Sequence, residues 1–237
     1  MKETPTLSVV IAAFNEESNI EELTLRIDKA LKTYKIPYEL IYVIAGTDNT
    51  IKIAYELQKK LPITIFYTPQ PGGLGYDFKK GFAAVSPSAQ YVLTMDADLN
   101  HHPEEIPLFL KKIKEKNADI VVGSRVIEGG ITENIPGWKR FVSKIANTVF
   151  KLITNIPVQD KTSGYRLYKN KVIQQIAPEI HSKNFEFLME ILIIAAKKKY
   201  VITEIPITFT YRIHGKSKMN FIKTAMGYAK LLMKHLF

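Results

Sequence analysis

Apolar positions along the chain fall into two alternating patterns. Short, nearly unbroken runs are separated by longer stretches in which apolar residues recur every three or four positions. The run over residues 7–13 reads as a buried strand. Ile20, Leu23, Ile27, Ala30, Leu31 and Tyr34 then fall on one helix face at a spacing of 3.6. The same alternation predicts strands over 39–45, 63–67, 91–95 and 119–122. It predicts helices from about 50 to 60, from the glycines Gly72, Gly73 and Gly75 through Phe82, and from Pro103 through Lys116. Strands and helices in this order imply an α/β fold, with a doubly wound, mostly parallel sheet and right-handed crossovers.

Such sheets bind ligands at the carboxyl ends of their strands, near the switch in strand order. The residues that follow each predicted strand therefore matter most. They are Asn15-Glu16, Asp48, Asp96-Ala97-Asp98 and Ser124-Arg125. Three of these places carry acids and one carries a cation, where a plain scaffold would place turn and cap residues. Beyond Arg125 the pattern loosens. Gly129-Gly130 and Pro136-Gly137 mark a loop, 138–152 a helix, 155–165 a polar loop, 185–196 an amphipathic helix, and 201–211 extended segments around Pro206. No repeat or low-complexity linker divides the chain. The expected organisation is one domain over 1–218 with a C-terminal helix over 219–237.

Composition removes several classes. With no cysteine among 237 residues, neither a disulfide framework nor cysteine-ligated zinc is available. The most apolar stretch, 188–196, is interrupted by Glu190 and falls well short of the roughly 18–20 residues of a membrane span. The opening residues do not form a secretory leader, so the expectation is a soluble or peripheral protein. The formal charge of +10 is unevenly placed: residues 197–237 hold nine Lys/Arg and one acid, Glu204, leaving the rest nearly neutral.

Asp96 and Asp98 stand at i and i+2 where a strand leaves the sheet, so they can converge on one hard divalent cation. Mg²⁺ or Mn²⁺ takes few protein carboxylates and completes its shell with water and phosphate oxygens. The same two acids could instead cap the helix beginning at Pro103 or lie solvated in a turn. His101 and His102 are adjacent, point apart, and read as packing at a helix entry rather than as metal ligands.

At these residues the chain resembles a known family. Met95-Asp96-Ala97-Asp98-Leu99-Asn100-His101-His102-Pro103 is similar to the signature of the polyprenyl-phosphate mannosyltransferases, the dolichol-phosphate mannose synthase group of the family-2 glycosyltransferases. Further stretches follow in that family's order: Ala12-Ala13-Phe14-Asn15-Glu16, Gly123-Ser124-Arg125, Asp160 through Tyr168, Glu204-Ile205-Pro206, and Arg212 with Gly215, Ser217 and Lys218. The resemblance covers residues 7 to about 218. It implies a nucleotide-sugar-binding glycosyltransferase A-type fold. It also implies Asp96, Asp98 and Asn100 at the metal, and Ala12, Phe14, Glu16, Ile44, Asp48 and Ala97 around the nucleotide. Arg212 and Lys218 would lie on the diphosphate, where their cations offset the charge of a leaving group.

The resemblance places an acceptor lipid phosphate against Arg125, Lys139, Arg140 and Ser143, with Lys144 and Asn147 on the same side of a helix. A phosphate monoester has its second pKa near 6 and is largely a dianion at neutral pH, so no general base is required to create the nucleophile. Asp160 would face the same site without an assigned role. The chain departs from the family pattern after the second strand, where Ile44-Ala45-Gly46-Thr47 replaces a diacidic segment. It departs again at Ala12, at Gln70-Pro71 and at the order Ser163-Gly164.

In the tail, Ile222, Ala225, Met226, Ala229, Leu232, Met233 and Leu236 form an apolar stripe, with Lys223, Lys230 and Lys234 together on another side. Basic amphipathic helices of this kind lie in a membrane interface, although docking on the domain or in a dimer would use the same pattern. The expectation is an inverting, metal-dependent enzyme that moves mannose from GDP-mannose to dolichyl or other polyprenyl phosphate. It would act peripherally at the cytoplasmic face of a membrane, or as a membrane protein if the chain is part of a longer one. A separate membrane partner protein is left open, and no nucleic acid is expected. Two competing readings are a polyprenyl-phosphate hexosyltransferase using a UDP-sugar and a non-catalytic basic membrane adaptor on a degenerate transferase fold.

Overall fold

The computed structural model describes residues 4–134, 137, 147, 148, 154, 156–211 and 221–236. Its first half alternates as the apolar pattern requires: β1 (Leu7–Phe14), α1 (Ile20–Thr33), β2 (Tyr38–Ala45), α2 (Thr50–Gln58), β3 (Ile63–Thr68), α3 (Leu74–Ala83) and β4 (Tyr91–Asp96). A single 3₁₀ turn, Pro103–Glu105, then enters α4 (Ile106–Glu115), followed by β5 (Ile120–Ser124). Proline suits that entry because the first turn has no use for its missing N–H.

The second half contains β6 (Ile131–Glu133), β7 (Arg166–Lys169), α5 (Asn170–Ile176), α6 (Phe187–Lys197), β8 (Ile202–Pro206), β9 (Thr208–Thr210) and α7 (Phe221–Leu236). Seven strands form the main sheet in the order β3-β2-β1-β4-β7-β5-β8, and β6 and β9 pair as a separate ribbon. The chain runs outward from β1 to β3 and then crosses back to β4 on the other side of β1. The switch in strand order thus lies between β1 and β4, whose register sets Ala12 opposite Asp96.

Both faces of the sheet are covered, which is why its strands read as almost continuous apolar runs. Leu7, Val9, Ile11 and Ala13 pack with α1, α2 and α4 on one side. Val10 and the partly buried Ala12 pack with α3, α5 and α6 on the other.

Two features depart from the sequence expectation. First, β7 is antiparallel to both β4 and β5 and wedges between them. Its four residues follow a polar loop and carry no period long enough to announce a strand. Second, α7 docks through a stripe that shares only Leu232 with the expected apolar one among the described side chains. Leu231 is buried in the core cluster, Tyr228 and Leu232 pack against it, and Thr224 is buried. Met226 and Met233 stay exposed, at 67% and 60%. The helix expected over 138–152 lies outside the described residues apart from Asn147 and Thr148. Among the described residues no helix is long and apolar enough to cross a membrane.

Candidate active site

The carboxyl ends of β1 and β2 are stitched together by one side chain. Asn15 takes the left-handed backbone conformation (φ 53°), and its Oδ1 accepts from the N–H groups of Thr47 at 2.9 Å and Asp48 at 3.4 Å. Gly46 has φ 112°, and a Cβ there would lie 1.9 Å from Asn15 Oδ1, so only glycine permits the bond. Glu16 is buried. Its Oε2 accepts from Asn19 Nδ2 at 2.7 Å, and its backbone N–H donates to Thr50 Oγ1 at 2.8 Å. Asp48 is used locally: Oδ1 accepts from Thr50 N at 3.0 Å and Oδ2 from Glu17 N at 3.2 Å, so its carboxylate ties α2 to the β1 loop. Ala12 and Phe14 are partly buried at the end of β1, whereas Ile44 is 1% exposed and packs into the core on the face of the sheet opposite Ala12, away from the position expected of it beside a nucleotide.

At the end of β4 the chain turns through Leu99 in the left-handed region (φ 60°). That turn folds Asn100 back on Asp98. Asn100 N donates to Asp98 Oδ1 at 3.2 Å, and Nδ2 donates to Oδ2 at 2.8 Å. Both side chains are buried, at 4% and 6% exposed, and the remaining amide oxygen, Asn100 Oδ1, has no hydrogen-bond partner. Asp96 lies above Gly164, where an added Cβ would come within 3.6 Å of both carboxylate oxygens. Two carboxylates and an unsatisfied amide oxygen thus fall within five residues at the switch point, with the buried Ala97 between the acids in sequence. An oxygen-only donor set of this size fits a hard divalent cation that keeps part of its shell for other ligands. A larger protein cage is absent: among the described residues no three His, Cys, Asp or Glu side chains cluster for a metal.

The next cation along the sheet is Arg125, at the end of β5. Its Nε and Nη2 donate to Asp160 Oδ2 and Oδ1 at 2.6 and 2.8 Å, its backbone N–H reaches Oδ2 at 3.1 Å, and Nη2 also donates to Thr162 Oγ1 at 2.8 Å. Asp160 is fully buried. Burial alone would raise its carboxyl, but the charge and hydrogen bonds of Arg125 hold it down to about 2. Burial works against the Arg125 guanidinium, and the charge of Asp160, with a smaller contribution from Asp96, raises its pKa further. Glu204 on β8 anchors the loop by accepting from Asp160 N and Gln159 N at 2.9 and 2.8 Å. The role of Asp160, open from sequence, is therefore to hold Arg125 beside the acids.

The polar loop before β7 is fixed from below. Arg166 is fully buried, and its guanidinium donates to the carbonyls of Ser163, Leu188 and Lys161 at 2.7, 2.6 and 2.8 Å. Thr94 Oγ1 donates to the Gly164 carbonyl at 2.8 Å, which seats the glycine beneath Asp96. His101 behaves as packing: it is 2% exposed and stacks on Tyr165 with ring centroids 4.9 Å apart. Burial drives its pKa down to about 3, so the imidazole is neutral. His102 meets Thr210 Oγ1 at 2.9 Å. Sequence reading passed over Asp77, a buried acid in the first turn of α3. Its signal was an acid on the sheet-facing stripe of an otherwise apolar helix face. Lys139, Arg140 and Ser143, and also Arg212 and Lys218, lie outside the described residues.

Comparisons with known proteins bear on the family and the fold. The family model for glycosyl transferase family 2 matches residues 8–177. The dolichol-phosphate mannosyltransferase of Pyrococcus furiosus is 35% identical over 237 residues, covering 98% of this chain; the chain spans 62% of that relative's length. The polyprenol monophosphomannose synthase of Mycolicibacterium smegmatis is 31% identical over 225 residues, covering 93% of this chain and 83% of the relative. Among solved structures, glucosyl-3-phosphoglycerate synthase from Mycobacterium tuberculosis, in complex with Mn²⁺, UDP and phosphoglyceric acid, superposes with a TM-score of 0.71. It is 18% identical and covers 98% of this chain and 77% of that one, a likeness of fold. The S. aureus TarS fragment in complex with UDP-GlcNAc has a TM-score of 0.66 at 16% identity, over 97% and 66% of the two chains. The mostly parallel sheet with its acids at the switch point is thus the glycosyltransferase A-type architecture, and the chain belongs to glycosyl transferase family 2.

Proposed function

We propose that this protein is an inverting transferase that moves mannose from GDP-mannose to the phosphate of dolichol or another polyprenol. The observation that carries the reading is the placement of Asp96, Asp98 and the unpaired, buried Asn100 Oδ1 together at the end of β4, beside the β1–β4 switch point. These three residues would hold Mg²⁺ or Mn²⁺, which supplies charge neutralisation to a diphosphate leaving group. The two mannosyltransferase relatives support the sugar and the lipid acceptor. The solved neighbour with Mn²⁺ and UDP supports a metal–diphosphate pairing on this fold.

The chain's own residues position the reactants. Asn15 and Gly46 shape the strand ends that receive the nucleotide. Asp160 orients Arg125 toward the acids, where its charge can meet an acceptor phosphate; by the family resemblance Lys139, Arg140 and Ser143 would extend that contact and Arg212 and Lys218 would meet the diphosphate. The acceptor dianion attacks the anomeric carbon from the face opposite the leaving GDP, so the configuration inverts in a single displacement. No side chain need remove a proton, in keeping with a neutral, packed His101.

Membrane association through α7 belongs to the same reading. The docked face leaves Met226, Met233 and Lys230 outward, which suits the interfacial plane of an anionic bilayer, while Lys234 reaches back to the buried Glu190 at 3.9 Å. The deciding experiment is a donor panel of GDP-mannose, UDP-glucose and UDP-GlcNAc with a short polyprenyl phosphate and Mn²⁺. Transfer is expected from GDP-mannose, abolished by chelation and by Asp98→Ala with the circular-dichroism spectrum unchanged. Undiminished transfer by Asp98→Ala would overturn the metal assignment. Transfer from a UDP-sugar alone would overturn the donor.

A further inference from the structure

The acid after β2 is committed to the backbone: both oxygens of Asp48 accept N–H groups, from Thr50 and Glu17. A second acid close to the same strand ends is not committed. Asp77 is 8% exposed, and among the described residues no hydrogen bond or ion pair holds its carboxylate. Lys80, one turn further along the helix, places Nζ over the Phe66 ring, 5.1 Å from the centroid.

The position of Asp77 follows from the packing of α3. Gly81 lies against the sheet, where an added Cβ would meet Val10 Cγ1 at 2.2 Å and Val43 Cγ2 at 3.5 Å. Asp77 is one turn earlier on the same stripe. Because α3 connects two parallel strands, it runs antiparallel to them, and its first turn sits at their carboxyl ends. One helical turn is about 5.4 Å and two strand residues are roughly 6.6 Å. Asp77 therefore lies at the level of Ala12, which packs on the α3 side of the sheet and pairs in register with Asp96. Burial pushes its carboxyl up to about 6, with Lys80 opposing only in part. A buried carboxyl without a partner costs stability wherever it stands, and here it stands beside the crevice where an α/β sheet takes its ligand.

We propose that Asp77 is a donor-binding residue whose carboxylate accepts a pair of hydrogen bonds from the nucleoside of the sugar donor. Two vicinal donor pairs present that chemistry: the N1–H and N2–H groups on the guanine edge, and the 2′- and 3′-hydroxyls of the ribose. A uracil edge offers a single N–H between two carbonyls that repel a carboxylate. If the guanine edge is the source, Asp77 supplies the base discrimination that Asp48, bound to the backbone, does not.

The inference rests on the donor class proposed above, and its test separates the two. GDP, UDP and inorganic pyrophosphate are titrated calorimetrically, with Mn²⁺, into the full chain and into Asp77→Asn and Asp77→Ala, and the melting temperature of each protein is recorded. The expected result is at least a tenfold loss of GDP affinity in Asp77→Ala, with pyrophosphate affinity within twofold of the parent and a melting temperature equal or higher. Loss for GDP but not UDP assigns the guanine edge, and equal loss for both assigns the ribose. Unchanged nucleotide affinity, or an equal loss for pyrophosphate, would overturn the role of Asp77 and leave the donor class standing. A lower melting temperature in both variants with nucleotide affinity intact would make Asp77 structural and overturn it too. A parent protein that binds neither nucleotide overturns both readings.

Discussion

Replacing Asp160 by Asn tests whether the Arg125–Asp160 pair is the buried clamp its geometry describes. The carboxylate is fully buried and takes two guanidinium N–H groups and one backbone N–H, while the Arg125 side chain is only 17% exposed. Asparagine keeps the shape but removes the charge, leaving a guanidinium largely out of water without its counter-ion. Breaking a buried pair from one side costs about 3–5 kcal/mol. An independent bound comes from titration. Holding a carboxyl near 2 against its ordinary 3.8 corresponds to about 2.5 kcal/mol of stability at neutral pH. The larger figure also counts the stranded arginine, so a loss of about 3–4 kcal/mol is expected, or roughly 6–16 °C in melting temperature for a chain of this length. The sign with pH is fixed. Because the folded pKa lies below the unfolded one, the contribution is complete above about pH 5 and disappears as pH falls through 4 toward 2. Urea unfolding of parent and variant at pH 7, 5 and 3 measures it. The difference should be equal at pH 7 and 5 and distinctly smaller at pH 3. A difference below about 1 kcal/mol at pH 7, the scale of an exposed ion pair, would refute the clamp, and so would one that does not shrink at pH 3.

Three further outcomes follow from single contacts. Asn100→Ala removes the unpaired Oδ1 and the Nδ2 bond to Asp98 Oδ2 while keeping the backbone N–H bond to Oδ1; Mn²⁺ affinity, read by isothermal titration in the presence of GDP, should fall about 10–100-fold with little change in melting temperature. Gly81→Ala forces a methyl to within 2.2 Å of Val10 Cγ1, so chemical denaturation should show a loss of about 1–3 kcal/mol from overpacking. Met226→Glu with Met233→Glu alters an exposed face; thermal stability should hold while flotation with anionic vesicles decreases, and unchanged flotation would remove α7 from the membrane reading.

The first five strands and four helices were legible because each is a parallel-sheet strand buried on both faces or a helix with one apolar stripe, and those two periods do not overlap. Strand β7 was not legible. Its Arg166 is fully buried yet satisfied by three carbonyls that become neighbours only after folding, so polarity in the sequence concealed a core position. The docked stripe of α7 was concealed for the converse reason: the helix carries apolar side chains on more than one side, and periodicity cannot say which side meets the domain. Asp96, Asp98 and Arg125 announced themselves as charges at predicted strand ends. Asp160 could be named but not understood, since its partner lies 35 positions away. Asp77 was easily passed over because an acid in a first helical turn is ordinary; only its place on the sheet-facing stripe of α3 set it apart.

The uneven charge seen in the sequence acquires a physical consequence at the switch point. Glu16, Asp48, Asp96 and Asp98 surround the described strand ends, and the one cation placed there, Arg125, is already matched by Asp160. Left alone, this part of the site repels a nucleotide diphosphate. On the proposed function, affinity for such a donor would come from a divalent cation on Asp96, Asp98 and Asn100, together with basic residues from elsewhere in the chain. The sequence supplies these in Lys139 and Arg140 and in a segment from 197 onward that holds nine Lys/Arg against one acid. That one acid, Glu204, is spent on the backbone of Gln159 and Asp160 and so helps to position the remaining cation of the site. On that reading the acidic strand ends and the basic C-terminal region would serve one binding requirement: metal and donor should bind together far more tightly than either binds alone, because each removes the repulsion that excludes the other.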